Sequence, residues 1–295
     1  MKASAFAYHD PKTVQELNSL LGSLDNVRIL AGGQSLMPML NMRYAFPDHV
    51  IDINHIADLS GVAMTPAGLR IGAMTRQRIV REHPLVLEHA PVLAEALHWV
   101  GHVQTRSRGT IGGSLCHLDP AAEQPCIAAL YDAVLHVSGP RGARDVAMRD
   151  WVLSYMTPNL EPDEALLGLT LPVWSGLQGQ NVGHGFHEFA RRHGDYAIVA
   201  AAALVSLDAG SVVRRASIAL AGVDVRPVRL EAAEQALVGH VLDQGLIAKV
   251  SAMAASIEMM EDAHITPAYR GRLAQTMTKR ALTDALNRAT GGRNV

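Results

Sequence analysis

Three observations predict an α+β protein of more than one domain. The first stretch runs helix, strand, glycine-rich segment, helix. The middle mixes short strands with short helices. The last third places long apolar strands ahead of a helical tail. The chain of 295 residues suits roughly two or three domains rather than one small core.

The elements follow in order. Thr13-Val14-Gln15-Glu16 is a capping box, and Val14, Leu17, Leu20, Leu21 and Leu24 recur behind it at helical spacing. Val27 to Ala31 reads as a strand running into Gly32-Gly33. A short helix from Leu36 to Met42 tolerates Pro38 near its start. His49 to Ile53 reads as the next strand, and this first lobe is expected to end near Leu59. Short strands are expected at Val62 to Met64 and Leu69 to Ala73, with a helix starting near Thr75. Pro91 and Gly101 bracket a helix. Pro120 to Leu130 reads as helical with Asp119 as its cap, and Ala133 to Val137 as a strand. The polar, glycine-rich Trp174 to Gln180 marks the domain boundary, dividing the chain into 1–176 and 177–295. Gly185 to Ala190, Ala197 to Leu207 and Val212 to Gly222 read as strands, with Asp208-Ala209-Gly210 as a hairpin turn. From about Val228 the chain turns helical, and Thr266-Pro267 caps a last helix running to about Arg288. No internal repeat is visible.

Composition excludes several function classes. Net charge is −2, with no block of Lys or Arg, so nucleic acid finds no basic footprint. The longest apolar run, Ala197 to Val205, falls well short of the roughly 20 residues of a membrane span. The N-terminus lacks the apolar core of a signal peptide, so a cytoplasmic protein is expected. Cys116 and Cys126 cannot supply the four thiolates of an iron–sulfur cluster, and they read as buried free thiols. His98 and His102, and His184, His187 and His193, lack further ligands at metal spacing, so no metal site is expected. No elbow motif surrounds a nucleophilic serine, and no catalytic acid, base or nucleophile is assigned.

Two glycine-rich segments carry the chemistry. One is Ala31-Gly32-Gly33-Gln34-Ser35-Leu36 and the other is Thr110-Ile111-Gly112-Gly113-Ser114. Adjacent glycines let a backbone approach a ligand closely, and consecutive N–H groups beside hydroxyls form an anion-binding concavity. Two such segments could grip one diphosphate from both sides. Either one alone could equally be a tight turn.

Four motifs in order resemble one family. AGGQSLMPMLNMR (31–43) with IDIN (51–54), IGAMT (71–75), TRSRGTIGGSLCHLDPAAEQP (105–125) and FARRHGDYAIVAAAA (from Phe189) are similar to the flavoprotein subunits of molybdenum hydroxylases, the medium subunits of the carbon monoxide dehydrogenase and xanthine dehydrogenase type. The resemblance covers nearly the whole chain. It implies a two-lobed FAD-binding domain of the p-cresol methylhydroxylase and vanillyl-alcohol oxidase type (lobes about 1–59 and 60–176), then a smaller α+β domain. It implies FAD held by Ala31, Gly32, Gly33, Gln34, Ser35 and Leu36 on one side and Thr110, Gly112, Gly113 and Ser114 on the other. Glu123 matches a cofactor-contacting carboxylate, or is a plain helix-surface residue. His187 falls where relatives carry a flavin-proximal lysine, or is an exposed strand residue. Tyr196 matches a side chain laid over the isoalloxazine, or is a core tyrosine. Leu167 and Leu169 match an apolar position near the ring, or are ordinary core.

The implied activity is oxidoreductase. Substrate is oxidised at a molybdopterin centre on a large partner. Electrons pass through [2Fe–2S] clusters on a small partner, then through FAD here to an external acceptor, in a dimer of heterotrimers. Two alternatives are a stand-alone flavin oxidase of the same superfamily and a flavin-free assembly scaffold. The first would act alone on an alcohol or phenol, and the second would be colourless.

Overall fold

The computed structural model describes residues 2–174 and 181–291. The expected boundary at 176/177 lies outside the described residues.

The first lobe comprises β1 (Ala7–His9), α1 (Val14–Ser23), β2 (Val27–Leu30), α2 (Leu36–Asn41) and β3 (His49–Asp52). Its three strands form a parallel sheet in the order β1-β3-β2. Half of the expected capping box forms: the Thr13 hydroxyl accepts from the Glu16 N–H, but the Glu16 carboxylate accepts from the N–H of Lys12 rather than of Thr13. Leu17 and Leu21 are buried against Ile51 and Ile53 of the sheet side. The short strand β1 has no counterpart in the sequence reading.

The second lobe holds β4 (Val62–Thr65), β5 (Gly68–Gly72), α3 (Gln77–Glu82), α4 (Pro84–His89), α5 (Pro91–Trp99), α6 (Val103–Arg108), α7 (Ile111–His117), α8 (Glu123–Leu130), β6 (Val134–Gly139), β7 (Gly142–Ala147), β8 (Val152–Ser154), β9 (Thr157–Pro158) and β10 (Ala165–Leu171). Five strands pair antiparallel in the order β4-β5-β10-β6-β7. Three expectations change here. The Thr110–Ser114 segment is the N-terminal turn of α7, not an open loop. Helix α8 starts at Glu123 rather than Pro120, because Asp119 closes a tight turn on the Ala121 N–H instead of capping a helix. The helix expected near Thr75 begins at Gln77, since the Thr75 hydroxyl is engaged by Gly61.

The last third contains β11 (Asn181–Phe189), β12 (Val199–Leu207), β13 (Val213–Ala221), β14 (Val228–Arg229), α9 (Glu231–Leu237), α10 (Gln244–Met253) and α11 (Pro267–Thr290). The strands form one antiparallel sheet in chain order. The expected turn is built by Asp208, whose carboxylate accepts from the N–H groups of Gly210 and Val212. Residues 228–229 are a strand, so the helical tail begins at Glu231. Strand β12 is buried along its whole length and serves two cores by alternation. Ala200, Ala202 and Leu204 face the second lobe, while Val199, Ala201, Ala203 and Val205 face α9, α10 and α11.

Candidate functional site

The two glycine segments meet. A Cβ on Gly32 would lie 2.3 Å from the Arg108 carbonyl oxygen and 2.8 Å from Gly109 Cα. Only glycine permits that approach. A Cβ on Gly113 would lie 3.7 Å from Ala31 Cβ. Segments some eighty residues apart in sequence thus share one contact surface.

They differ in what they offer. Among the described residues, no acceptor takes the backbone N–H of Gly32, Gly33, Gln34, Ser35 or Leu36. Gly33 has φ +72°, the left-handed conformation that turns successive N–H groups toward one side. Ser35 precedes α2 without using its hydroxyl as a cap. The Gln34 side chain folds back onto the Gly32 carbonyl at 3.3 Å. The second segment has no such surplus. The N–H groups of Ile111, Gly112 and Gly113 go to the Thr75 carbonyl, the Ala73 carbonyl (2.8 Å) and the Thr110 hydroxyl (3.1 Å). The expectation that both segments present backbone N–H groups is therefore corrected. The second offers the hydroxyls of Thr110 and Ser114. Gly112 is glycine because a Cβ there would lie 2.6 Å from Ala73 Cβ, which is a packing reason.

Tyr196 reaches the same place from the last third of the chain. Its hydroxyl lies near that of Ser35, and the side chain is half exposed. It is no core tyrosine. Its ring also lines a cavity of about 320 Å³, shared with Asp119, Pro120, Arg191, Met260 and Arg270. That volume lies within the range of small-ligand pockets. Arg191 lies in a bend after β11. Arg270 is buried, donating to the carbonyls of Ile198 and Gly222 and to Asp262, and its Nε has no partner. Leu167 sits at a bulge of β10, where the register shifts between Leu166 and Gly168. It packs beside Ala31 and Met74. Leu169 is ordinary core.

Glu123 is not a surface carboxylate. It is buried at the first turn of α8, and burial, with Asp119 adding, pushes its pKa up to about 7. His187 does not join the site. Strand alternation aims it at α11, where Nε2 meets the Asp284 carboxylate at 2.9 Å. Its neighbour Glu188 takes the opposite face. Burial and then Glu123 push the Glu188 pKa up to about 8, and its buried Oε2 has no partner. Burial also raises the thiols of Cys116 and Cys126, so both rest protonated and inert.

The histidines behave differently from the sequence reading. Helix α5 ends at Trp99, so His98 and His102 do not share a helix face. Both rings approach His193, at 6.4 and 5.9 Å between centroids. Among the described residues, no group of His, Cys, Asp and Glu is arranged to hold a metal ion.

Sequence reasoning missed Asn54, Arg76 and Glu188. Asn54 donates to the Ala31 carbonyl at 2.9 Å, and Arg76 donates to Asn54 and to the Arg108 carbonyl. The IDIN segment held the first, and the residue directly after IGAMT was the second. Period-two alternation outward from His187 could have pointed to Glu188.

A bound dinucleotide fits these residues: free N–H groups and hydroxyls for a diphosphate, and an adjoining pocket for a planar ring. Comparison with known proteins agrees. The family described as the FAD binding domain in molybdopterin dehydrogenase matches residues 4–174, and the CO dehydrogenase flavoprotein C-terminal domain matches 184–285. The chain is 37% identical over 291 residues to caffeine dehydrogenase subunit beta of a Pseudomonas species, covering 98% of this chain and 97% of that one. It is 34% identical to a 6-hydroxypseudooxynicotine dehydrogenase complex subunit alpha of Paenarthrobacter nicotinovorans, with the same coverage. Carbon monoxide dehydrogenase of Hydrogenophaga pseudoflava contains a chain of the same fold. The TM-score is 0.92 at 35% identity, over 98% of this chain and 100% of that one. The chain belongs to the FAD-binding flavoprotein subunits of the molybdenum hydroxylases, an oxidoreductase family.

Proposed function

We propose that FAD is held with its diphosphate against Gly32 to Leu36 and the hydroxyls of Thr110 and Ser114. Its isoalloxazine would lie in the cavity beside Tyr196. The observation that carries this reading is the run of five N–H groups without an acceptor among the described residues, on a segment whose Gly32 abuts the second segment at Arg108. When bound, the flavin supplies redox chemistry in one- and two-electron steps. The chain's residues bind and orient it. The N–H groups offset the diphosphate charge, the glycines admit it, and Tyr196 covers the ring. Glu123 is buried behind Asp119, and burial raises its pKa to about 7, which favours its neutral form on the acid side of neutrality.

In this reading electrons arrive from [2Fe–2S] clusters on a small partner subunit. Substrate is oxidised at a molybdopterin centre on a large one, and an external acceptor takes the electrons away. The assembly is a dimer of heterotrimers in the cytoplasm, and the chain divides at 176/177 into its two domains. The subunit and complex names of the relatives support the partners. The chain's two cysteines fall short of the four thiolates that such a cluster takes.

An absorption spectrum tests this directly. The purified chain should show flavin bands without iron–sulfur absorbance, which appears only in the complex. Iron at stoichiometric level in the pure chain would overturn the division of labour. Gly33→Val and Gly113→Val should both lose FAD. A valine at 33 cannot adopt φ +72°, and one at 113 would meet the Thr110 hydroxyl at 2.8 Å. Unchanged flavin occupancy in both would refute the diphosphate site.

A further inference from the structure

We propose that Arg76 is a positioning residue whose two-armed guanidinium latches both glycine segments into the geometry that receives the cofactor. The inference rests on the diphosphate site proposed above. Nη1 of Arg76 donates to the Arg108 carbonyl at 2.6 Å, and Nη2 donates to Oδ1 of Asn54. Asn54 passes the constraint on, donating from Nδ2 to the Ala31 carbonyl at 2.9 Å. Asp52 steadies Asn54 by accepting from its backbone N–H at 2.9 Å and from its amide. Asp52 is itself held by the Tyr8 hydroxyl at 2.8 Å. The backbone joins in, since Arg76 bridges Thr110 and the Gln77 N–H donates to the Gly109 carbonyl at 2.9 Å.

The physical effect follows from the trans peptide plane. The C=O and N–H of one peptide unit point in opposite directions. Pinning the Ala31 carbonyl on Asn54 therefore turns the Gly32 N–H the other way and sets the start of the five-donor run. Pinning the Arg108 carbonyl keeps it in the place where a Gly32 Cβ would be, so the two segments hold register. Without Arg76 the Arg108 carbonyl loses its donor, and the Asn54 amide that holds the Ala31 carbonyl keeps only its Asp52 support, so the geometry of both segments loosens. The role depends on a fork, not merely on a charge. A guanidinium spans two acceptors at fixed geometry, whereas an ammonium is a point donor on a flexible stem.

The test is FAD affinity of the full-length chain, freed of flavin and titrated while flavin fluorescence is followed. Arg76→Met should weaken binding about thirtyfold and Arg76→Lys about tenfold, while the melting of the flavin-free chain reports folding separately. Asn54→Ala should weaken binding alone but add little to Arg76→Met, because the two lie on one chain of bonds. Lysine restoring wild-type affinity would show a charge acting alone and overturn the latch. Full additivity of the two losses would also overturn it. If Gly33→Val loses FAD while every Arg76 variant binds normally, the latch fails and the site stands. If Gly33→Val binds as wild type, the site itself falls, and the latch with it.

Discussion

Glu123 and His184 pull stability in opposite directions with pH. The Glu123 carboxyl is raised from 4.5 to about 7 by burial, so the folded chain keeps a proton that the unfolded chain releases. Stability is then greatest below pH 4.5 and falls as pH rises toward 7, by on the order of 1–3 kcal/mol. Glu188, raised to about 8, extends that fall upward. His184 is lowered from 6.5 to about 4 by burial, so its contribution is lost as pH falls through that window. The melting temperature of the flavin-free chain should therefore pass through a maximum on the acid side of neutrality. Glu123→Gln and Glu188→Gln should each flatten the alkaline limb, and an unchanged limb in both would contradict the assignment. At this scale the sequence was read unevenly. Gly32 and Gly33 stood out only beside the second glycine segment, because a Gly-Gly alone could equally be a tight turn. The burial of Glu123 was not legible, because it depends on α8 packing on β12 and β13, some eighty residues further along the chain. Nothing near His187 in sequence announced Asp284 as its partner.

At the scale of elements, α11 lies so close on β11 that side chains are excluded between them. A Cβ on Gly183 would lie 1.8 Å from the Ala285 carbonyl oxygen, and one on Gly185 would lie 2.2 Å from that of Ala281. Backbone cannot yield as a side chain tip would. Gly185→Val should therefore lower stability by about 3 kcal/mol, read as a fall in melting temperature. A fall no larger than that of a surface substitution would show that the helix slides freely. Helix α11 itself was legible, from Thr266-Pro267 at one end to about Arg288 at the other, two residues short of its last residue, Thr290. Helix α7 was not. Two adjacent glycines each disfavour a helix by about 1 kcal/mol, so the local signal favoured a loop. Tertiary contact reversed it, since Ala73 fills the space of a Gly112 Cβ and Thr110 caps the turn. Pro120 misled in the other direction, because proline suits a turn as readily as a first helical turn.

At the scale of the whole molecule, the sheet of the last third is a layer shared by two cores. The Ser217 hydroxyl bonds the Leu130 carbonyl at 2.6 Å, and Arg229 ties Asp132 to Glu234. Calorimetry should accordingly show one unfolding transition, and two resolved transitions would mean that the β12 core divides. The sequence displayed the strands of that sheet as long apolar runs. It did not display that both faces are covered, beyond the hint that β12 is apolar at nearly every position instead of alternating.

The contact of Gly32 with Arg108 sets an order of events in biosynthesis. The chain is made from its N-terminus, so the first glycine segment emerges well before its counterpart exists, and Tyr196 later still. A flavin meeting the young chain finds donors with no opposing wall. At the proposed site, cofactor loading therefore waits until the chain has been made and folded past Tyr196. The polypeptide, not the flavin, is the template on which this site is first assembled.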